Sequence, residues 1–239
     1  MSVRIAFWSG PRNVSTALLR AWGNRQDTVP LDEPFYAAFL KLTGIDHPGR
    51  DETLARHVTD PQVVIDSLRA PLPAGKRVLF QKQMAHHMVP GIERGWMREM
   101  RHGFLIRDPA QMIASYVAVR SDVTVEDLGQ PQMFEIFEQV RDQDPPVIDA
   151  CDLLQDPRGM LTSVCERFGL DFDERMLSWA AGPREWDGVW AKHWYSGVER
   201  STGFRPTRPR EVEIPAHLRD LHAECEQYYR RFREVRIRP

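Results

Sequence analysis

The stretch Ile5-Ala6-Phe7-Trp8-Ser9-Gly10-Pro11-Arg12-Asn13-Val14-Ser15-Thr16-Ala17-Leu18-Leu19 decides how the rest of the chain is read. Ile5 to Trp8 is a short apolar run of the kind that a strand buried on both faces requires. From Val14 onward, Ala17, Leu18 and Ala21 recur at helical spacing, and Arg20, Asn24 and Arg25 are expected to form the polar side of that helix. Ser9-Gly10-Pro11 breaks the backbone between the two, so Arg12, Asn13, Ser15 and Thr16 fall where the first unpaired helical N–H groups point. Those N–H groups, the helix dipole and two hydroxyls form a cradle for phosphate or sulfate. An ordinary capped turn, with Asn13 or Ser15 satisfying the orphan donors, is the plainer alternative. A cap alone has no need of the fixed charge of Arg12.

Composition bounds what surrounds this turn. The 239 residues are enough for one large α/β domain with a substantial core, and the whole of 1–239 is read as that single domain. Hydrophobic residues at 42% and charged residues at 28% are ordinary globular values and argue against global disorder. A net charge of -2 gives no sign of nucleic-acid binding, so an anion site must be a local concentration of Arg and Lys. Cys151, Cys165 and Cys225 are odd in number and lack metal-ligand spacing, which fits a reducing, cytoplasmic compartment. No apolar run approaches the roughly 20 residues that span a bilayer, and the start Met-Ser-Val-Arg carries no apolar leader, so the expectation is a soluble, unprocessed protein with no membrane partner. Thr43 to Glu52 is expected to be a surface loop.

Further along, strand and helix signals alternate. Thr28 to Leu31 predicts a second strand, and Pro34 to Leu42 a helix; Glu33 or Asp32 as its simple cap is one reading, and Glu33 placed at the carboxyl end of a parallel strand beside the anion turn, where open α/β sheets hold their chemistry, is the other. Asp60-Pro61 opens a helix to Leu68 with Val63, Val64 and Leu68 on its apolar face. Arg77 to Lys82 predicts a third strand that runs into Lys82-Gln83-Met84-Ala85-His86-His87. Lys82, His86 and His87 are open to a catalytic or substrate-contacting reading and to a structural one; metal binding is disfavoured because adjacent histidines are expected to point apart. Gly103 to Ile106 predicts a fourth strand ending in Arg107-Asp108-Pro109, then a helix from Ala110 to Val119 carrying Ser115 eight residues beyond Arg107. Arg107 either meets an anion as a fork or pairs with Asp108 or caps the helix, and Ser115 is otherwise a small packing residue.

Arg120 to Glu126 reads as a loop, Pro131 to Val140 as a helix burying Phe134 and Phe137, Pro146 to Asp149 as a fifth strand, and Pro157 to Phe168 as a helix packing Leu161, Val164, Cys165 and Phe168 on the sheet. Trp186, Trp190 and Trp194 would share one face of a helix. A last helix from Pro215 to Phe232 presents Leu218, Leu221, Cys225, Tyr228 and Phe232 to the core. This alternation predicts a three-layer α/β/α domain around a central, mostly parallel sheet of about five strands.

Pro11-Arg12-Asn13-Val14-Ser15-Thr16 is not the nucleotide P-loop, which needs Gly-x4-Gly-Lys-Ser/Thr. It resembles the 5'-phosphosulfate loop of sulfotransferases, Pro-Lys/Arg-Ser-Gly-Thr/Ser-Thr at the end of the first strand, in particular of the bacterial small-molecule type. Val14 stands where that family has glycine, so this valine is expected to share glycine's backbone geometry. Arg107 with Ser115 resembles the family's 3'-phosphate element, and Arg200-Ser201-Thr202-Gly203 the late loop that returns over the same phosphate.

The resemblance implies a P-loop-NTPase-like sulfotransferase fold and 3'-phosphoadenosine 5'-phosphosulfate (PAPS) as cosubstrate, with no metal. It implies that Arg12 to Thr16, Arg107, Ser115 and Arg200 to Gly203 hold the donor. Arg12, Lys82 and one of Glu33, His86 or His87 as base would serve transfer to a hydroxyl or amine of a small-molecule acceptor. The tryptophans at 186, 190 and 194 are, by the burial habits of tryptophan, core or acceptor-pocket wall sooner than a dedicated base-stacking device. A P-loop small-molecule kinase and a non-catalytic phosphonucleotide-binding protein are the alternatives, and a homodimer is compatible with all three.

Overall fold

The computed structural model describes residues 2–120, 122–206 and 212–239; Ser121, inside the expected loop at 120–126, lies outside them. Chain order is β1 (Val3–Ser9), α1 (Ser15–Gly23), β2 (Thr28–Asp32), α2 (Tyr36–Thr43), α3 (Arg50–Arg56), α4 (Pro61–Arg69), β3 (Val78–Met84), β4 (Arg101–Ile106), α5 (Pro109–Val117), α6 (Gln130–Val140), β5 (Val147–Asp149), α7 (Ala150–Gln155), α8 (Pro157–Arg167), α9 (Ala191–Trp194), α10 (Ser196–Glu199) and α11 (Arg219–Val235). The five strands form one parallel sheet in the order β2-β3-β1-β4-β5. No helix among the described residues is long and apolar enough to cross a membrane.

The period of two along β1 creates the layers. Ala6 and Trp8 pack with Val64, Ile65 and Leu68 of α4, Ile136 and Phe137 of α6, and Phe232 of α11. Ile5 and Phe7 face the other way, onto Leu18, Leu19 and Trp22 of α1 and Met160, Leu161 and Val164 of α8. The sheet is thus covered on both faces, as a parallel sheet requires. β1 leads to α1 on one face, while the connection from β4 leads to α5 and α6, and α6 packs on the other. The carboxyl ends of these adjacent strands therefore open a crevice at a topological switch point.

Several local expectations change. Arg20 and Arg25 are not a solvated face: both are buried, Arg20 in a two-pronged pair with Asp187 at 2.5 and 2.7 Å, and Arg25 against Asp27 and the carbonyl of Asp171. The polar stripe of α1 is covered by the chain between 171 and 187, which a helical wheel cannot reveal. On α4, Ile65 takes the buried place expected of Val63, which is exposed. Trp186, Trp190 and Trp194 do not share a helix, because α9 is only four residues long. Trp186 packs beside α1, Trp190 is buried with Tyr36 and Tyr195, and Trp194 reaches the cleft described below. The Thr43–Glu52 stretch is part loop and part α3, and its His47 is buried rather than on the surface.

Arg20→Ala is expected to lower unfolding free energy by about 3–5 kcal/mol in chemical denaturation, because Asp187 would be left as a buried, unpaired charge. Arg25 differs: one of its partners is a carbonyl and Asp27 also binds Arg77, so its removal strands less.

Candidate active site

The turn after β1 is built by close approach and strain. A Cβ on Gly10 would lie 2.5 Å from the carbonyl oxygen of Leu128, so only glycine fits there. Arg12 and Val14 both have left-handed backbones, at φ 63° and 58°. Such reversals turn successive amides into one concavity. A β-branched residue in this region is a genuine outlier, costing about 1–2 kcal/mol, and Val14 does hold the geometry that glycine gives. Its carbonyl accepts the first helical bond, from Leu18 N at 3.2 Å, so Val14 is the N-terminal boundary of α1 without any side-chain cap. The amides of the first turn are therefore free to face the crevice.

β4 supplies the other wall. Ser9 pairs with Leu105, placing Arg107 just beyond the end of the sheet opposite the turn. Arg107 Nη1 donates to the carbonyl of Arg12, Arg12 Nε donates to Ser115 Oγ at 2.9 Å, and Asn13 Nδ2 donates to the carbonyl of Leu105 at 3.3 Å. Asp108, meanwhile, caps α5 by accepting from Gln111 N at 3.1 Å. So Arg107 neither pairs with Asp108 nor caps, and Ser115 is not a mere packing residue.

Among the described residues no carboxylate lies within ion-pair distance of Arg12 or Arg107. Burial, and then the charge of Arg12, depress the pKa of Arg107. Two half-buried guanidinium groups with unneutralised charge are a site made for an anion.

The third wall comes from β2 and β3. Asp32 pairs with Lys82 in the register, and Glu33 follows with a left-handed backbone at φ 44°. Lys82 Nζ donates to Asp32 Oδ1 at 3.0 Å, Glu33 Oε1 at 2.6 Å and the Tyr195 hydroxyl at 2.5 Å. That hydroxyl donates to Asp32 Oδ2 at 2.7 Å and accepts from Trp190 Nε1 at 3.2 Å. Neither acid caps α2. Burial works against the charge on Lys82, but Asp32 and Glu33 outweigh it and raise its pKa. Burial, offset in part by Lys82 and reinforced by Asp32, raises that of Glu33.

The two histidines do not point apart: their rings meet edge to face at 4.4 Å. His87 is stacked on Tyr36 and Phe39 at 4.8 and 4.9 Å, with Nε2 3.9 Å from Glu33 Oε2. Burial first, then the neighbouring histidines and Lys82, hold His86 down to about 3 and His87 well below its ordinary value, so both are neutral at physiological pH.

One cleft of about 560 Å³ joins these walls. Arg12, Asn13, Val14, Ser15, Thr16, Glu33, Lys82, His86, His87, Arg107, Ser115, Arg200, Ser201 and Gly203 all line it. Thr202 does not; its side chain is exposed and its carbonyl accepts from Trp179 N at 3.1 Å. The Ser201 hydroxyl is engaged internally, donating to the carbonyl of Val198 at 2.6 Å and accepting from Trp179 Nε1 at 3.0 Å.

Tyr195, Asp32 as a partner of Lys82, Tyr36, His47 and Arg120 also belong to the site but escape sequence reasoning. The Asp32–Lys82 pair follows from aligning β2 with β3; Tyr195 is separated from them by more than a hundred residues and leaves no local signal.

A family profile described as "Sulfotransferase domain" matches residues 3–233. Branched-chain-amino-acid aminotransferase-like protein 2 of Arabidopsis thaliana is 34% identical over 224 residues, 93% of this chain and 40% of its own length. Its paralogue, protein 1, is 35% identical over 217 residues, 90% and 39% of the two chains. The present chain thus spans about 40% of the length of those curated relatives. Among solved structures, the sulfotransferase domain from the Synechococcus PCC 7002 olefin synthase superposes with a TM-score of 0.61 at 16% identity, covering 96% of this chain and 95% of its own. That from the curacin biosynthetic pathway gives 0.60 at 15%, covering 100% and 99%. These two likenesses establish the shared fold. With the family profile spanning nearly the whole sequence, the chain belongs to the sulfotransferase-domain family.

Proposed function

We propose that the chain, acting as one domain, transfers the sulfuryl group of PAPS to a hydroxyl or amine of a small-molecule acceptor. The observation that carries this reading is the interlocked pair Arg12 and Arg107, held across the β1/β4 crevice with no carboxylate partner among the described residues. The amides of the first turn of α1, with Ser15, Thr16 and Arg12, bind the 5'-phosphate side of the donor. Arg107 and Ser115 take the 3'-phosphate, and Arg200 and Gly203 close over it from the rim. In the transfer, the acceptor oxygen or nitrogen forms the new bond to sulfur as the bridging bond to the 5'-phosphate breaks, leaving adenosine 3',5'-bisphosphate. Catalysis is then mostly alignment and neutralisation of the departing phosphate's charge.

Glu33 accepts the acceptor's proton. A general base works best when its pKa lies near the working pH, and burial moves Glu33 up toward that range while it moves His86 and His87 further below it. Lys82 fixes the carboxylate through Oε1, leaving Oε2 for the substrate. His87 is a neutral ring beside that oxygen, its Nε2 3.9 Å away.

Two measurements follow. PAPS incubated with a panel of phenols, alcohols and amines should yield adenosine 3',5'-bisphosphate and sulfated product in equal amounts. Phosphorylation of the same panel from ATP and magnesium would instead make the chain a kinase, and nucleotide binding without turnover on any acceptor would make it a binder.

The second measurement is the pH profile of Lys82→Met. The base must be ionised, so the rate falls as pH drops through the Glu33 pKa. Lys82 is the main group holding that pKa down against burial. Its removal should shift the acid limb of kcat/KM to higher pH; an unmoved limb would assign the base elsewhere.

A further inference from the structure

Five residues beyond Ser115, the chain brings a further arginine to the cleft. Arg120 follows α5, its amide closing on the carbonyl of Tyr116 at 3.1 Å, and its side chain lines the cleft. Among the described residues its buried Nη1 has no hydrogen-bond partner and no carboxylate lies within ion-pair distance. A buried guanidinium nitrogen left bare is costly unless something fills its place.

Arg120 lines the same cleft as Tyr36, His47 and Trp194, and its charge acts on Tyr36, His47 and Tyr116, whereas the charged groups acting on Arg107 are Arg12, Asp108 and Asp149. Tyr36 in turn stacks on His87 at 4.8 Å, whose Nε2 is 3.9 Å from Glu33 Oε2, so the groups that feel Arg120 stand beside Glu33. Around Arg120 stand aromatic walls: Tyr36, whose hydroxyl meets His47 Nδ1 at 3.0 Å, and Trp194, set edge-on to His47 at 6.4 Å. His47 is neutral, held down to about 4 by burial and then by Arg120, so it adds no second cation. Asp127 is an acid acting on two of these groups, and its Oδ2 is already held by the Thr124 amide and hydroxyl at 2.9 and 3.1 Å.

We propose that the acceptor carries, besides the group that receives sulfate, an anionic substituent, a carboxylate or a phosphate monoester, which Arg120 binds beside the Tyr36–His47–Trp194 wall. This rests on the sulfuryl-transfer reading, because it assigns that side of the cleft to the acceptor. It defines a substrate class: hydroxy or amino compounds bearing a separate negative charge, with an apolar or aromatic body.

The test is calorimetric titration of wild type and Arg120→Gln, each saturated with adenosine 3',5'-bisphosphate, with matched probes. Para-hydroxybenzoate and para-hydroxyphenylacetate are compared with their methyl esters, and para-hydroxyphenyl phosphate with hydroquinone. Wild type should prefer at least one anionic probe over its neutral partner by about tenfold or more, the scale of one charge-assisted hydrogen-bonded pair. Arg120→Gln should reduce that preference to near unity. The pair showing the preference tells carboxylate from phosphate.

Equal affinities within every pair, no binding of any anionic probe, or an unchanged preference in Arg120→Gln would overturn the proposal. The affinity for adenosine 3',5'-bisphosphate itself is the separating control. It should be the same in both proteins. A loss in Arg120→Gln would move Arg120 to the donor site, and failure of the nucleotide to bind wild type would count against the donor reading alone.

Discussion

Replacing Arg107 by alanine is expected to weaken binding of adenosine 3',5'-bisphosphate by about a hundredfold, the effect of losing a forked, charge-assisted contact to phosphate. The expectation has two physical parts. Arg107 is half-buried and its charge is disfavoured by burial and by Arg12, so a phosphate placed against it both gains a partner and relieves the repulsion. Arg107 also holds the carbonyl of Arg12, and through it the left-handed turn that aims the loop amides.

Arg107→Lys separates the two parts: it keeps the charge but not the fork, and should recover only a fraction of the affinity. AMP, which lacks the 3'-phosphate, should lose much less than the bisphosphate on going to Arg107→Ala. A loss of equal size for both nucleotides would mean that the substitution disturbs the loop and that Arg107 does not read the 3'-phosphate. Thermal unfolding of each variant gives the folding control.

Glu33→Gln is expected to reduce kcat by about a hundredfold to ten-thousandfold, the range of general-base contributions, with affinity for adenosine 3',5'-bisphosphate changed by less than about twofold. Glutamine keeps the shape and keeps an oxygen to accept from Lys82 Nζ, while the Tyr195 hydroxyl still donates to Asp32, so the network of Asp32, Lys82 and Tyr195 survives the change. What disappears is the ability to take a proton. His86→Ala and His87→Ala make the contrast. Both rings are packed in an aromatic cluster and neutral, so their removal should lower stability more than it alters the acid limb of the rate. Retention of wild-type kcat in Glu33→Gln would exclude it as base.

Features carried by one local stretch were legible in the sequence. The β1 turn could be read because the strand, the break and the helix start lie within fifteen consecutive residues, and a valine in a glycine's place predicted the left-handed backbone that Val14 adopts. Arg107 and Ser115 share a strand end and the helix after it, and the sheet's parallel pairing brings them to the Arg12 turn. The three layers followed from strand alternation and helical spacing, which the two cores on either side of β1 reproduce.

What could not be read depends on pairings distant in sequence. Arg20 could be read only as part of a polar side because the periodicity of α1 says nothing of Asp187, which covers it. Trp186, Trp190 and Trp194 looked like one stripe because spacing cannot show that the chain is not helical until Ala191. Tyr195 and Arg120 reach the cleft from short, irregular segments without a motif, and Lys82, read as the last residue of its strand, lies inside β3, which runs on to Met84, with its link to Asp32 invisible in the sequence. The Arg12–Arg107 side of the cleft is thus written in local motifs, while the side holding Tyr195 and Arg120 is assembled from scattered residues that only the folded chain brings together.

The most direct test of the central claim is titration of the wild-type protein with adenosine 3',5'-bisphosphate, AMP and ATP, with and without magnesium. The two-arginine cleft predicts that the bisphosphate binds at least about tenfold tighter than AMP or ATP and that magnesium leaves this order unchanged. Equal affinity for all three, or ATP binding best and only with magnesium, would contradict the assignment of this cleft to a PAPS-type donor.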